Sequence, residues 1–240
     1  QHSASSTNTP SLISCPEHQQ TASSIVTGRI SDELIMANAE IKLYYFDGKG
    51  RAEVARLILI AAGKEFEDIR FQEQEWPEYK AIAPFGQCPF LKVDDETYSQ
   101  SLAINAFLAK EFGFYSQTNL EALEIDQVAN LVEDFVRVCV DVLHMEDEDE
   151  KLKAIEKTKT DVSPKFLGYF EKLLNKTGSG YFVGDRLTLA DIAVFDIVTG
   201  MLEKYVDVND NYPLLQKNIE NVRAHSKIGP YIASRPERKY

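Results

Sequence analysis

The sequence predicts a mixed α/β part followed by an all-helical part. Three observations carry that expectation. Residues 41–62, IKLYYFDGKGRAEVARLILIAA, change from a strand-like apolar run to helical periodicity across Gly48-Lys49-Gly50. Strand-like segments recur up to Gly113 and then stop. Beyond that point come a long helical pattern over 120–145 and a Thr188-Leu-Ala-Asp191 capping box ahead of an almost wholly apolar helix.

Residues 1–39 stand apart, rich in Ser, Thr, Gln and Asn without a sustained apolar period. They lack the basic start and apolar core of a signal peptide. They are expected to be a disordered extension, with the folded body beginning near Met36-Ala-Asn-Ala-Glu40. Such a segment reads as an isoform extension or translated upstream sequence, and an ordinary disordered tail fits its composition equally.

Residues 41–46 are the first strand and 51–62 the first helix, whose apolar positions are Val54, Ala55, Leu57, Ile58 and Ala61, with Gly63 as C-cap. A strand that feeds a helix through glycines presents side chains at its end beside free N–H groups and the positive dipole end. A tyrosine hydroxyl at that point can donate to an anion held over the helix start. Residues 66–71 form a second strand, parallel to the first by the βαβ rule. Residues 74–82 are loosely helical and 84–89 an irregular loop; 90–94 and 97–99 make a hairpin around Asp94-Asp95-Glu96, and 101–112 a helix.

In the helical part, 120–145 carries apolar Val128, Leu131, Val132, Phe135, Val138 and Cys139, and the acidic run 146–150 reads as a solvated turn. Residues 152–174 are a helix kinked at Pro164. Buried helix 189–202 and short helices 212–224 and 227–234 complete the pattern.

The composition bounds the function. With 240 residues and 44% hydrophobic content the chain is globular, long enough for one large domain or two small ones. A formal charge of −12 argues against nucleic acid and anionic membranes as partners. No apolar run approaches the roughly 20 residues that span a bilayer. Cys15, Cys88 and Cys139 are widely spaced, which disfavours a disulfide framework or zinc site and makes a reducing cytosol the default.

The motifs KLYYFDGKGRAEVAR, EWPEYK, PFGQCPFL, SQSLAI, GYFVGDRLTLADI and IASRP, in this order, are specific together. Over residues 41–240 the chain resembles a cytosolic glutathione transferase, most closely the sigma class of invertebrate transferases, haematopoietic prostaglandin D synthases and cephalopod lens crystallins. The resemblance implies a thioredoxin-like glutathione-binding domain at 40–113, an all-helical domain at 114–240, and a cytoplasmic homodimer. It implies an enzyme of detoxification that conjugates the glutathione thiolate to small hydrophobic electrophiles and requires no metal. Two alternatives stand beside it: a glutathione-dependent prostaglandin D isomerase, and a crystallin-like or ligand-carrying protein with little activity.

The site residues follow from the resemblance. The catalytic tyrosine directly precedes a phenylalanine, which maps it to Tyr45; Tyr44 is its structural competitor on the opposite face of the strand. A neutral phenol can donate to a thiolate, and lowering a thiol pKa by about two units takes roughly 2.7 kcal/mol. One charge-assisted hydrogen bond of about 1.5–3 kcal/mol is of that size. Arg51 adds positive potential at the helix start. Gln87-Cys88-Pro89 resembles the family's cis-proline loop, whose backbone at Cys88 would pair with the ligand's cysteine. Cys88 departs from the usual aliphatic residue or Met and reads as a small buried hydrophobe. Gln100 and Ser101 open a helix and form an anion site for the γ-glutamyl carboxylate, Ser101 doubling as N-cap. Trp76 and Lys80, four apart, contact the glycine carboxylate. Asp134 reaches the γ-glutamyl ammonium in the neighbouring subunit. Asn130 and Glu133 resemble part of a divalent-metal cluster of some prostaglandin synthases, but Asn130 replaces a carboxylate and favours a plain polar helix face. Ala106 is a second departure, where relatives often carry arginine.

Overall fold

A computed structural model describes residues 38–236. Apart from residues 38 and 39, the expected disordered extension lies outside the described residues. Strand β1 (Ile41–Phe46) is the spine of a four-stranded sheet in the order β2-β1-β3-β4, with β2 at Glu67–Phe71, β3 at Phe90–Val93 and β4 at Glu96–Ser99. β2 runs parallel to β1, as the βαβ rule requires; β3 and β4 run antiparallel to their neighbours. Ile41 and Leu43 point into the core, and the alternation places Tyr45 on their face and Tyr44 on the other.

Helix α1 (Glu53–Ala62) is nearly all buried and ends on Gly63 in the left-handed region. A short 3-10 turn, Gly50–Ala52, precedes it, so the helix starts two residues later than the periodicity predicts. Glu73–Glu75 is a second 3-10 turn and leads into α2 (Trp76–Ile82). Phe71 and Tyr79 stack at 4.3 Å, and Tyr44 stacks on Phe90 at 4.4 Å, so α2 covers the face opposite α1. Helix α3 (Ser101–Glu111) packs beside α1. Gln100 is its N-cap, so Ser101 is the first helical residue rather than the cap.

The helical part opens with α4 (Asn119–Leu143), capped by Thr118. Val138, expected on its apolar stripe, is 44% exposed. The acidic run is solvated throughout, but only Glu146 and Asp147 belong to the expected turn. Asp147 caps α5 (Glu148–Lys157), and Glu148, Asp149 and Glu150 fill its first turn, where the helix dipole favours negative charge. A π turn, Thr158–Val162, then joins α5 to α6 (Ser163–Thr177). The register change falls just before Pro164, which sits in the first turn of α6, where its missing N–H costs no hydrogen bond.

Helix α7 (Leu189–Asp196) is wholly buried, and its capping box forms as expected. Asp191 accepts from Thr188 N, Phe182 N and Asn218 Nδ2 at 2.8, 2.9 and 2.8 Å, tying α7 to its neighbours. A second π turn, Ile197–Met201, extends α7 and packs against the 3-10 turn holding Arg51. Helices α8 (Pro213–Arg223) and α9 (Ile228–Ser234) close the chain.

Candidate active site

The strand end, the 3-10 turn, the loop before β3 and the start of α3 converge on a cleft of about 480 Å³. Seven of the ten residues assigned to glutathione from the resemblance line it: Arg51, Trp76, Gln87, Cys88, Pro89, Gln100 and Ser101. Phe46, Gly86 and Glu133 complete the wall.

Tyr45 is not among the lining residues; it precedes Phe46 and touches Arg51, which are. Its hydroxyl oxygen accepts from the Arg51 backbone N–H at 3.2 Å. Burial pushes its phenol above the ordinary value, outweighing that hydrogen bond, so it is a neutral donor at pH 7. With the N–H occupying one side of the oxygen, its own proton is left to donate elsewhere. Gly50 makes the approach possible: it has φ +44°, and a Cβ there would lie 2.5 Å from the Tyr45 hydroxyl. Tyr44 instead packs among Phe90 and Tyr79.

Arg51 is not a solvated helix-start residue. Nη1 and Nη2 donate to Glu133 Oε2 and Oε1 at 2.8 and 3.1 Å, a bidentate pair across 82 residues of chain. Arg137 donates to the same carboxylate at 3.3 Å. Burial works to raise the Glu133 carboxyl, but the two guanidinium groups outweigh it and hold it below the ordinary value. Glu133 thus enters the site as the partner of Arg51. It is the functional residue that sequence reasoning misplaced, because nothing near it in the chain couples it to Arg51.

The Cys88-Pro89 peptide bond is cis. Burial pushes the Cys88 thiol up to about 11, against hydrogen bonds from the Phe46 and Cys88 backbone. So high a value leaves little thiolate at neutral pH, although Cys88 is half-buried at the cleft wall rather than the buried hydrophobe expected. Trp76 stacks on Phe71 at 5.7 Å and leans on Phe46, so its ring is fixed at the cleft wall. Lys80 lies outside the lining and passes over Gly86. Gln100 has φ +76°, uncommon for a residue with a side chain, and donates to Gln87 Oε1 at 3.5 Å.

Asp134 is not brought to this cleft. It is exposed and lines a separate groove with Leu131, Tyr169 and Leu173. Among the described residues no group of three or more His, Cys, Asp or Glu is placed to hold a metal ion, and no helix is long and apolar enough to cross a membrane.

The sheet, the cis-proline loop and the strand-end tyrosine over a helix start define a mixed α/β part followed by a helical part, with a cleft at the strand end. Residues 39–110 match the model of the glutathione S-transferase N-terminal domain, and residues 133–235 that of the C-terminal domain. Glutathione S-transferase 1 of Ascaris suum is 37% identical over 204 residues, 84% of this chain and 99% of the relative. The structure of monomeric Na-GST-3, a glutathione S-transferase from the hookworm Necator americanus, superposes with a TM-score of 0.74 at 35% identity, covering 84% of this chain and all of that one. That of prostaglandin synthase D of Nilaparvata lugens does so with 0.76 at 29% identity, covering 83% and 100%. The chain belongs to the glutathione S-transferase family, and its activity is that of a glutathione transferase.

Proposed function

We propose that this transferase binds glutathione in the cleft between Trp76, the Gln87-Cys88-Pro89 loop and Ser101, and ionises its thiol beside Tyr45. The observation that carries this is the Tyr45–Arg51 backbone contact, which fills the acceptor side of the hydroxyl and leaves its proton for the ligand sulfur. Cys88 lies outside the β1–β3 ladder, which leaves its backbone for an extended peptide. Gln100 and Ser101 receive the γ-glutamyl carboxylate at the start of α3, and Trp76 with Lys80 the glycine carboxylate. Arg51, paired with Glu133, shapes the cleft between sulfur and electrophile.

The finer assignments belong to the same proposal. The thioredoxin-like domain spans 40–113 and the helical domain 114–240, and the protein is a sigma-class, cytoplasmic enzyme of detoxification acting on small hydrophobic electrophiles. It needs no metal: Asn130 stands where a carboxylate would be needed, and Glu133 is taken by Arg51 and Arg137. It works as a homodimer, in which Asp134 reaches the γ-glutamyl ammonium of the other subunit. Supporting this are the exposure of Asp134 away from its own cleft, the apolar groove beside it, and Phe85, 66% exposed. A second reading, glutathione-dependent isomerisation of a prostaglandin endoperoxide, is favoured by the likeness to the Nilaparvata lugens synthase.

Retention on immobilised glutathione and turnover of chlorodinitrobenzene test the transferase. Product analysis with prostaglandin H2 tests the isomerase. Protein that neither binds glutathione nor turns over either substrate would contradict both.

A further inference from the structure

A second cavity of about 320 Å³ adjoins the glutathione cleft, and the two share Arg51, Ser101 and Glu133. Most of its wall is apolar, with Val54, Val136, Ile197 and Met201 among the side chains. A molecule seated there lies next to the bound glutathione, where an electrophile has to be. Three carboxyl groups line it. Glu133 is held by Arg51, and Asp126 accepts the Tyr115 hydroxyl at 2.5 Å. The third, Asp196, accepts no hydrogen bond and joins no ion pair among the described residues, although it is only 6% exposed. An unpartnered buried carboxyl is costly to retain. The end of α7 and the π turn hold it there, over Gly200, where a Cβ would lie 2.8 Å from Oδ1.

Among the described residues none of the charges around Asp196 forms an ion pair with it. Those facing it are Lys49 ahead of the 3-10 turn, Glu53 and Arg56 on α1, and Arg235 after α9. Both arginines are committed to Glu53, at 3.0 and 2.6 Å, and Tyr231 donates to the same carboxylate at 3.0 Å. Across the cavity Arg51 is committed to Glu133. Burial, aided by the negative Glu53, outweighs the pull of Arg235, Lys49 and Arg56 and pushes Asp196 up to about 8. At neutral pH the cavity wall therefore presents a carboxylic acid with a free O–H donor, a state that an apolar site with a like charge nearby favours.

We propose that Asp196 is a catalytic residue for one class of electrophile, the α,β-unsaturated carbonyl compounds: its carboxyl binds their carbonyl oxygen and protonates it as the glutathione sulfur adds. This deepens, and rests on, the transferase reading above. The step balances. The thiolate forms a C–S bond at the β-carbon while the π electrons of the C=C bond shift toward the carbonyl oxygen. The Asp196 O–H bond breaks as its proton passes to that oxygen, and the resulting enol returns to the carbonyl form by proton exchange with water. The proton lost by the glutathione thiol enters solvent, and solvent reprotonates Asp196. Aromatic substitution makes no such demand, because it expels chloride and delivers no proton to the substrate.

The test measures background-corrected kcat/KM for trans-2-nonenal and for chlorodinitrobenzene, and takes their ratio, in the wild type and in Asp196→Asn. The ratio is expected to fall at least about tenfold in the variant, within the range of general-acid effects. In the wild type it should fall as pH rises through about 8, a decline that the variant lacks. A ratio unchanged by the substitution, or both rates lost in parallel, would overturn the proposal. So would a flat wild-type ratio across that pH range, which requires no variant to fold. Wild-type protein that turns over neither electrophile would instead overturn the transferase reading, and the proposal with it.

Discussion

The cleft lined by Trp76 and Ser101 and the cavity beside it share three residues but are built by opposite routes. The cleft is assembled from short local motifs: a strand end, a 3-10 turn, a proline loop and a helix start. Apart from Glu133 on α4, its polar groups are backbone amides and side chains within a few residues of a structural break. The cavity is assembled from α1, α3, α4 and α7, and its polar groups arrive on helix faces that are otherwise packed. One is organised for a ligand of fixed shape. The other is an apolar hollow whose chemistry depends on single side chains. Only the first can be read from neighbours in the chain; the second exists once the helices meet.

If the cleft carries the chemistry of the thiol, the largest effect belongs at Tyr45. Tyr45→Phe should fold, bind glutathione and lose roughly 10–1000-fold in kcat, as for removal of one donor to a developing anion. Gly50→Ala should approach the same loss with Tyr45 intact, because the new methyl would occupy the space of the hydroxyl; steady-state rates at pH 6.5 check both. The next effect probes the seam between the two cavities. Arg51→Ala keeps the backbone N–H that orients Tyr45 and should cost about tenfold, mainly in kcat. Glu133→Gln should cost a similar factor, and the double variant little more than either single one, since the two act as a unit. Additive losses in that cycle would separate them.

Smaller in effect is the proposed contact of Asp134 across subunits. Asp134→Ala should raise the glutathione KM about tenfold, the worth of one charge-assisted bond, with less change in kcat. A mixed dimer of Tyr45→Phe with Asp134→Ala sharpens it. Acting in trans, Asp134 leaves one site intact, and about half the activity should survive. Acting in cis, it leaves each site with one defect and little activity at low glutathione.

The smallest effect is on stability and belongs to the cavity alone. The Asp196 carboxyl is raised from the 3.8 of an ordinary aspartate to about 8, so folding takes up a proton between those values. Its share of stability is therefore present below about pH 4 and is lost as pH rises toward 8. Asp196→Asn removes that dependence. Its melting temperature should exceed the wild type's at pH 8 by more than at pH 5, by about several degrees; equal differences at the two pH values would contradict it.

Much of the fold was legible because its signals are local. The switch of period across Gly48–Gly50, Gly63 as a left-handed cap and the Thr188–Asp191 box each specify a backbone break within a few residues. The cleft residues from Arg51 to Ser101 were legible for the same reason, carried by motifs at such breaks. What escaped was tertiary. Glu133 becomes a site residue only because α4 lies across the 3-10 turn. Asp196 reads in sequence as one polar position in an apolar helix, and it lines a hollow only once α7 meets α1, α3 and α4. The acidic run at 146–150 is part turn and part helix, and charge alone does not mark where a solvated turn gives way to a helix start; Asp147 as N-cap decides it.

The most direct test of the central claim is the pKa of the thiol of bound glutathione, read from the ultraviolet difference absorbance of the thiolate as pH is varied. In the wild type it should fall about two units below the ordinary thiol value near 8.5. In Tyr45→Phe it should return toward that value, while Tyr44→Phe leaves it depressed. A bound thiol that stays depressed in Tyr45→Phe would contradict the account, the more so if Tyr44→Phe were the variant to release it.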